Sequence, residues 1–205
     1  MPAMPPLGFR AVTETVIKKS RFIATVTRCD SVVDARTLVD EARRTYPDAR
    51  HHCAAWLIDY DGVVTSHSSD DGEPAGTAGM PMLKALLNAD VVNVAVVVTR
   101  YFGGVKLGAS GLTRAYAGAV TAAVADMPRV TRQVRQLWRL DAPHADAAKI
   151  ADELLRAGAT ITSQTHDEAT TGLVFTYDGD PTALLAKITQ GAGRASPAGT
   201  TTAEV

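Results

Sequence analysis

The first part of the chain shows two patterns of apolar and polar residues, one typical of strands and one typical of a helix. Apolar and polar residues alternate over 12–27 around the pair Lys18-Lys19, which predicts a β-hairpin. Apolar residues then recur at helical spacing until Pro47, and Ser31 stands three residues before Asp34 as in a capping box. These patterns predict a helix over 32–46.

Several further apolar runs complete the N-terminal half. The run over 91–99 is almost continuously apolar and β-branched, as expected of a strand that is covered on both faces. Residues 61–79 are mainly polar and are predicted to form a loop. The other predicted elements are a strand over 52–59, a short helix that opens at Pro81 and an alanine-rich helix over 112–127.

The C-terminal half is predicted to have the element order β-α-β-β-α-β. This order is typical of the ferredoxin-like arrangement. Pro128 and the basic residues up to Arg135 form the predicted linker, so the sequence predicts an α+β protein with domains at 1–130 and 131–205. The predicted elements are strand 134–141, helix 144–157, strand 159–165, strand 171–178, helix 181–190 and a weak final strand or partly disordered tail.

Charge and cysteine usage narrow the classes of function. The formal net charge of −1 and mean hydropathy of zero indicate neither a disordered chain nor one with a strongly polyanion-binding character overall. Cys29 and Cys53 form no Cys-x-x-Cys pattern, which favours two reduced thiols. The N-terminus has no signal-peptide pattern and no apolar run is long enough to span a membrane, so we expect a cytoplasmic protein without a membrane partner. Basic residues outnumber acidic ones in 84–132. This segment contains only two acidic residues, Asp90 and Asp126, and its basic residues are Lys84, Arg100, Lys106, Arg114, Arg129 and Arg132.

An acidic, glycine-rich segment over 68–79 is the first candidate for chemistry. Asp70, Asp71 and Glu73 place three carboxylates within four residues, beside Gly72 and Thr77. Such oxygens could coordinate Mg²⁺ or Ca²⁺. The competing interpretation, which we favour, is that the aspartates cap backbone N–H groups while the glycines adopt positive φ. We therefore expect neither a metal ion nor another cofactor.

The second candidate is the stretch from Arg100 to Tyr116. A strand, a glycine-rich turn and a helix N-terminus together favour an anion, because free N–H groups and the helix dipole point toward it. The turn lacks a Walker A ending, so a nucleotide pocket of that type is not indicated. The stretch carries the cations Arg100, Lys106 and Arg114, the aromatic residues Tyr101 and Phe102, and the glycines Gly103, Gly104, Gly108 and Gly111.

The third candidate is Arg50-His51-His52-Cys53, at the start of a predicted strand. His51 and Cys53 share one face of that strand, so a Cys–His nucleophile pair is conceivable, with His67 contributing from the loop. We favour a buried thiol beside a hydrogen-bonded imidazole.

Together these segments resemble the IMPACT/YigZ family. The resemblance covers about residues 10–125, and the second half resembles the smaller C-terminal domain of bacterial members. Two positions depart from the family pattern, because Ser110 stands where a glycine is usual and Ala54 where an aromatic residue is common. The matching motifs are Lys19-Ser20-Arg21-Phe22, His51-x-Cys53, Asp70-Asp71-Gly72-Glu73-Pro74, Gly76-Thr77-Ala78-Gly79, Val98-Thr99-Arg100-Tyr101-Phe102-Gly103-Gly104 and Lys106-Leu107-Gly108.

The resemblance implies both a fold and a role. It implies an N-terminal α/β sandwich similar to domain IV of elongation factor G and a C-terminal ferredoxin-like domain similar to domain V of that factor. It also implies translational control, since eukaryotic members bind the activator of the starvation-responsive initiation-factor kinase.

We therefore predict a noncatalytic regulator that contacts RNA, the ribosome or a translation-related protein through the 66–79 and 100–116 loops. The alternative is a metal-assisted hydrolase or phosphate-ester-acting enzyme that uses the acidic loop and His51. The predicted binding residues are Lys19, Arg21, His51, Cys53, Asp70, Asp71, Gly72, Glu73, Thr77, Arg100, Tyr101, Phe102, Gly103, Gly104, Lys106, Gly108, Gly111, Arg114 and Tyr116.

Overall fold

The computed structural model describes residues 2–60 and 62–205, and it divides into two compact units, Met1–Thr131 and Arg132–Val205. In the part of the chain that it describes, no helix has the length and apolar character needed to cross a bilayer. The first unit contains, in order, β1 (Arg10–Ile17), β2 (Ser20–Arg28), α1 (Val32–Thr45), β3 (His51–Tyr60), β4 (Val63–Ser69), α2 (Gly79–Asn88), β5 (Val94–Tyr101) and α3 (Ala109–Ala125).

The first unit is built on an antiparallel sheet with the strand order β1-β2-β5-β3-β4. Helices α2 and α3 pack on one face, over a core that includes Phe22, Cys53 and Tyr116. Helix α1 packs on the other face, over a second core that includes Ala54 and Trp56. The central strand β5 is therefore buried on both faces, as its continuous apolar run predicts.

Local signals at the start of the chain are confirmed. The β1–β2 hairpin turns through Lys18 and Lys19, both at positive φ, which is the backbone of a tight two-residue hairpin turn. Ser31 accepts a hydrogen bond from the backbone N–H of Asp34 at 3.1 Å and so caps α1.

Several boundaries in the first unit differ from the prediction, including those of β4, β5 and α3. The predicted loop over 61–79 was wrong for its first part, because Val63–Ser69 forms β4 and pairs with β3. This strand lies at the sheet edge and is largely exposed, so its polar composition gives little strand signal. Helix α3 begins at Ala109, three residues before the predicted start, in a segment whose small residues carry no amphipathic pattern.

The second unit has the predicted β-α-β-β-α-β order. Its four strands have the sheet order β7-β8-β6-β9, and every pairing is antiparallel. Its core includes Leu140, Leu154 and Phe175, and Trp138 packs against it. The C-terminal residues expected to be a weak strand or a tail form an edge strand paired with β6. The elements are β6 (Arg132–Pro143), α4 (His144–Arg156), β7 (Thr160–His166), β8 (Thr170–Thr176), α5 (Thr182–Ile188) and β9 (Ser196–Glu204).

Candidate functional site

A cleft of about 640 Å³ opens in the first unit where β5 ends. The acidic loop that follows β4 forms one side of this cleft, and the turn after β5 with the start of α3 forms the other. Seven of the predicted binding residues line it, and they come from all three candidate segments identified in the sequence. The lining residues are Asp48, Arg50, His51, Glu73, Pro74, Arg100, Tyr101, Phe102, Lys106, Leu107, Gly108, Ala109 and Leu112.

The floor of the cleft is a buried carboxylate with two donors. Glu73 Oε1 accepts a hydrogen bond from Arg100 Nη1 at 2.6 Å and another from the Tyr116 hydroxyl at 2.7 Å. Both the Glu73 and Arg100 side chains are more than nine-tenths buried. Burial, together with the neighbouring Cys53 and Glu73, raises the pKa of Tyr116, so its hydroxyl stays a donor. The predicted binding residue Tyr116 therefore lies below the cleft and holds its floor.

Arg100 is not fully satisfied by this network. Its Nε is buried and has no hydrogen-bond partner among the described residues. The guanidinium lies between two aromatic rings, with its carbon 5.5 Å from the centre of Phe22 and 5.7 Å from that of Phe102. Phe102 itself is 54% exposed. The cation thus sits between a core ring and a ring that faces solvent.

His51 lies on the wall of the cleft with a defined tautomer. Its Nδ1 is 2.9 Å from the carbonyl oxygen of Asp71, and because a carbonyl only accepts, Nδ1 must carry the proton. In the neutral ring Nε2 is then an acceptor, and it faces Glu73 Oε1 at 4.0 Å. Two acceptors therefore face each other at a distance too long for a direct hydrogen bond.

The rim of the cleft carries the features that favour an anion. Helix α3 begins after Gly108, which adopts a φ of 75°. Among the described residues, no N-cap side chain accepts a hydrogen bond from the first N–H groups of this helix. The first N–H groups of α3 and the positive end of its dipole are thus available at the cleft. Arg50 and Lys106 are exposed beside them, and Asp48 adds one acidic group.

The acidic loop is held in shape by Asp70, which does not line the cleft. Its carboxylate accepts hydrogen bonds from the backbone N–H groups of Gly76, Ala78 and Gly79 at 2.7 to 2.9 Å. Burial alone would raise the pKa of Asp70, but these three hydrogen bonds outweigh it and lower the pKa. Asp70 thus caps backbone N–H groups, as the favoured interpretation of the sequence proposes.

Asp71 connects the loop to the rest of the unit. Its Oδ2 accepts from the backbone N–H of His52 at 2.6 Å and its Oδ1 from Arg43 of α1 at 2.8 Å. Asp70, Asp71 and Glu73 thus bond to three different sets of donors and do not converge. Within residues 2–60 and 62–205, no group of three His, Cys, Asp or Glu side chains could hold a metal ion.

The predicted glycines and Thr77 shape the loops. Gly72, Gly104 and Gly108 adopt positive φ, which other residues adopt at a cost. A Cβ on Gly103 would overlap the backbone of Lys19 and Ser20, so the turn after β5 rests directly on the β1–β2 hairpin. Gly111 faces Leu107 closely in the first turn of α3, and Thr77 is buried with its hydroxyl on the Pro74 carbonyl.

Three predicted cations lie outside the cleft. Lys19 is exposed in the hairpin turn. Arg21 pairs with Glu14 at 2.7 Å and stacks on Tyr101, 5.3 Å from the ring centre. Arg114 is exposed on α3 and does not line the cleft.

The proposed Cys–His pair is not a reactive pair in this geometry. Cys53 is fully buried, and its thiol donates to the carbonyl of Asp70 at 2.9 Å. Burial raises its pKa to about 12, so the thiolate is scarce at neutral pH. His67 lies on β4, stacked on Trp56 with ring centres 4.0 Å apart, on the α1 side of the sheet.

Sequence reasoning missed several lining residues. Arg50 precedes β3 directly and stood beside His51 in the third candidate segment, so its position was the available signal. Pro74, Leu107, Ala109 and Leu112 also line the cleft and lie inside the 68–79 and 100–116 stretches, although they were not named as binding residues. Asp48 lies outside all three candidate segments, and only the tertiary fold brings it there.

Comparison with known proteins identifies the family. Residues 18–124, just over half of the chain, match the Impact N-terminal domain. The chain belongs to the IMPACT family. Over 109 residues it is 49% identical to the IMPACT family member YigZ of Escherichia coli K12, covering 53% of each chain. Over 141 residues it is 38% identical to the IMPACT family member YvyE of Bacillus subtilis 168, covering 69% of this chain and 64% of YvyE.

A solved structure extends the likeness beyond the IMPACT domain. A crystal structure described as that of a hypothetical protein has a TM-score of 0.64 and 32% sequence identity, and covers 95% of this chain and 97% of its own. The two curated alignments span only 53% and 64% of the relatives' lengths. The resemblance drawn from the motifs is thus confirmed, and every predicted binding residue lies inside the matched 18–124 region.

The two departures from the family pattern have different surroundings. Ser110 is exposed in the first turn of α3, next to the cleft rim. Ala54 is buried under α1 on the opposite face of the sheet from the cleft core.

Proposed function

We propose that this IMPACT family protein is a noncatalytic binding protein of translational control, and that its cleft binds single-stranded RNA. The observation that carries the proposal is the combination at the rim of one exposed aromatic ring, two exposed cations and an uncapped helix N-terminus. Single-stranded nucleic acids are bound by this pairing of stacking rings and positive charge. The likeness of the two domains, 1–130 and 131–205, to domains IV and V of elongation factor G is part of this proposal and supports contact with ribosomal RNA.

The charges of the cleft set the expected strength of binding. Arg100 and Glu73 neutralise each other in the floor, and Asp48 offsets part of the charge of Arg50 and Lys106. Two exposed cations contact few phosphates, so we expect modest affinity that falls as salt rises.

The test is fluorescence anisotropy of a labelled single-stranded RNA with the full chain at low and moderate salt. Phe102→Ala should weaken binding at least fivefold, because a stacked base contributes about 1 to 3 kcal/mol. Lys106→Ala should weaken binding and reduce the slope of log K against log salt by about 0.7, the value for one phosphate contact on a single strand.

Matched controls lie on α2, away from the cleft lining. Leu87→Ala removes an exposed apolar side chain and Lys84→Ala removes an exposed cation, and neither should change RNA affinity appreciably. Absence of RNA binding at low salt, or equal losses in cleft and control variants, would contradict the proposal. Binding to a translation-related protein without RNA would instead assign the cleft to a protein partner.

The alternative of a metal-assisted hydrolase is not favoured by the positions of the carboxylates. Asp70, Asp71 and Glu73 each face different donors, and Glu73 is buried against Arg100. A substrate panel that gave phosphoester turnover dependent on Asp71 would restore this alternative.

A further inference from the structure

On the cleft wall, His51 Nε2 faces the Glu73 carboxylate at a distance too long for a direct hydrogen bond. His51 Nε2 carries a lone pair when the ring is neutral, because Nδ1 donates to the Asp71 carbonyl. The Glu73 carboxylate is acceptor-only, and its Oε1 stands 4.0 Å from Nε2. Polar groups that are poorly exposed to water lose free energy unless they are hydrogen-bonded. Glu73 Oε1 already accepts from Arg100 and Tyr116, so the acceptor that remains for a ligand hydroxyl or amino group is His51 Nε2.

The positive groups on the same cleft favour a ligand that also carries an anion. Arg100 lines the cleft, and its buried Nε has no hydrogen-bond partner among the described residues. The uncapped start of α3 and Lys106 lie on the same cleft. One ribonucleotide unit supplies all three ligand groups that this cleft favours. Its hydroxyls are hydrogen-bond donors, its phosphate is an anion, and its base can stack on the exposed Phe102 ring.

We propose that His51 Nε2 accepts a hydrogen bond from a ribose hydroxyl, so that the cleft selects RNA over DNA of the same sequence. This inference rests on the proposed function, and it adds the source of sugar specificity. The 2′-hydroxyl is the group that distinguishes RNA from DNA at a given site. Deoxyribose leaves His51 Nε2 without that donor.

The experiment measures the affinity of the full chain for an RNA and a DNA of identical sequence, with uracil in both. His51→Asn keeps a donor in the Nδ1 position for the Asp71 carbonyl but removes the Nε2 acceptor. We expect the wild type to prefer RNA by roughly five- to tenfold, the effect of one or two hydrogen bonds, and His51→Asn to bind RNA and DNA equally. His51→Gln, whose side-chain oxygen can replace Nε2, should retain part of the preference.

Lys106→Ala is the matched control, because a phosphate contact is common to both sugars. It should weaken RNA and DNA by the same factor and leave their ratio unchanged. A circular dichroism spectrum and a urea midpoint like those of the wild type show that each variant is folded.

The outcomes separate the two proposals. If RNA and DNA bind equally well to the wild type, and Lys106→Ala weakens both, ribose selection is wrong while the cleft still binds nucleic acid. Ribose selection is also wrong if His51→Asn keeps the RNA preference. If neither nucleic acid binds, both the proposed function and this inference are overturned.

Discussion

The Glu73–Arg100 pair joins the acidic loop to the end of β5 through a buried contact. Both side chains are buried, and the Tyr116 hydroxyl donates to the same Glu73 oxygen. A buried pair contributes little compared with apolar residues of similar shape, yet the loss of one partner strands the other charge. Glu73 of the 68–79 stretch and Arg100 of the 100–116 stretch thus depend on each other in the folded protein.

Truncation of the buried carboxylate should therefore be costly. We expect Glu73→Ala to lower the free energy of unfolding by about 3 to 5 kcal/mol, since it leaves the Arg100 guanidinium buried and unpaired. Urea denaturation followed by far-UV circular dichroism measures the loss. The control is Glu41→Ala, which breaks the exposed pair with Arg10 and should cost no more than about 1 kcal/mol. Equal losses for the two variants would show that Arg100 finds another partner.

Asp70 should give the first unit an acid-sensitive component of stability. Its pKa is lower in the folded protein than its ordinary value of 3.8, so the stabilisation is complete above that value. This stabilisation is lost as the pH falls from 3.8 to below the lowered pKa of the folded protein. Over that range the unfolded state binds more protons than the folded state.

Asp70→Asn provides the measurement. The amide presents a donor to one of the three backbone N–H groups, so we expect a loss of about 1 to 3 kcal/mol at pH 7. The difference between wild type and Asp70→Asn in urea midpoint should shrink between pH 5 and pH 2. A difference that stayed constant over this range would mean that Asp70 does not titrate with folding.

At the scale of elements, close backbone contact positions the cleft. The turn after β5 rests on the β1–β2 hairpin at Gly103, where no side chain fits. The hairpin therefore determines where Phe102 and Lys106 lie, although Lys19 and Arg21 themselves do not line the cleft.

A pair of glycine substitutions tests this contact. Gly103→Ala should destabilise the protein by about 1 to 3 kcal/mol or more and weaken RNA binding, because its Cβ overlaps the hairpin backbone. Gly118→Ala, in the exposed middle of α3 with open space around it, should stabilise the protein by up to about 1 kcal/mol. Thermal unfolding and RNA affinity report both effects. A Gly103→Ala protein with wild-type stability and affinity would show that the two turns are not in contact.

Most elements could be predicted from the sequence, and the exceptions share a cause. The central strand β5 carries a continuous apolar run and helix α1 a helical periodicity, and both signals arise from burial. Strands β4 and β9 lie at sheet edges, where exposure allows polar residues and removes the alternation. The sequence indicated which segments form the site but not the contacts within it. Neither the His51 tautomer nor the Glu73–Arg100–Tyr116 hydrogen bonds follow from sequence spacing.

For the whole molecule, the division into two units predicts where binding resides. All cleft-lining residues lie within Met1–Thr131, which has its own cores. A fragment of residues 1–131 should therefore fold and bind RNA within about twofold of the full chain, a difference of less than 0.5 kcal/mol. Anisotropy titrations of both proteins provide the comparison. Loss of binding in a folded fragment would assign part of the RNA site to residues 132–205.

The two tryptophans of the chain give it a built-in optical label for each unit. Trp56 is buried beneath α1 in the first unit, and Trp138 packs on the core of the second. Replacing either one with phenylalanine leaves a single indole emitter, so intrinsic fluorescence reports the unfolding of one unit at a time. Superposition of the two melting curves would reveal cooperativity between the units, and separate curves would reveal independent folding.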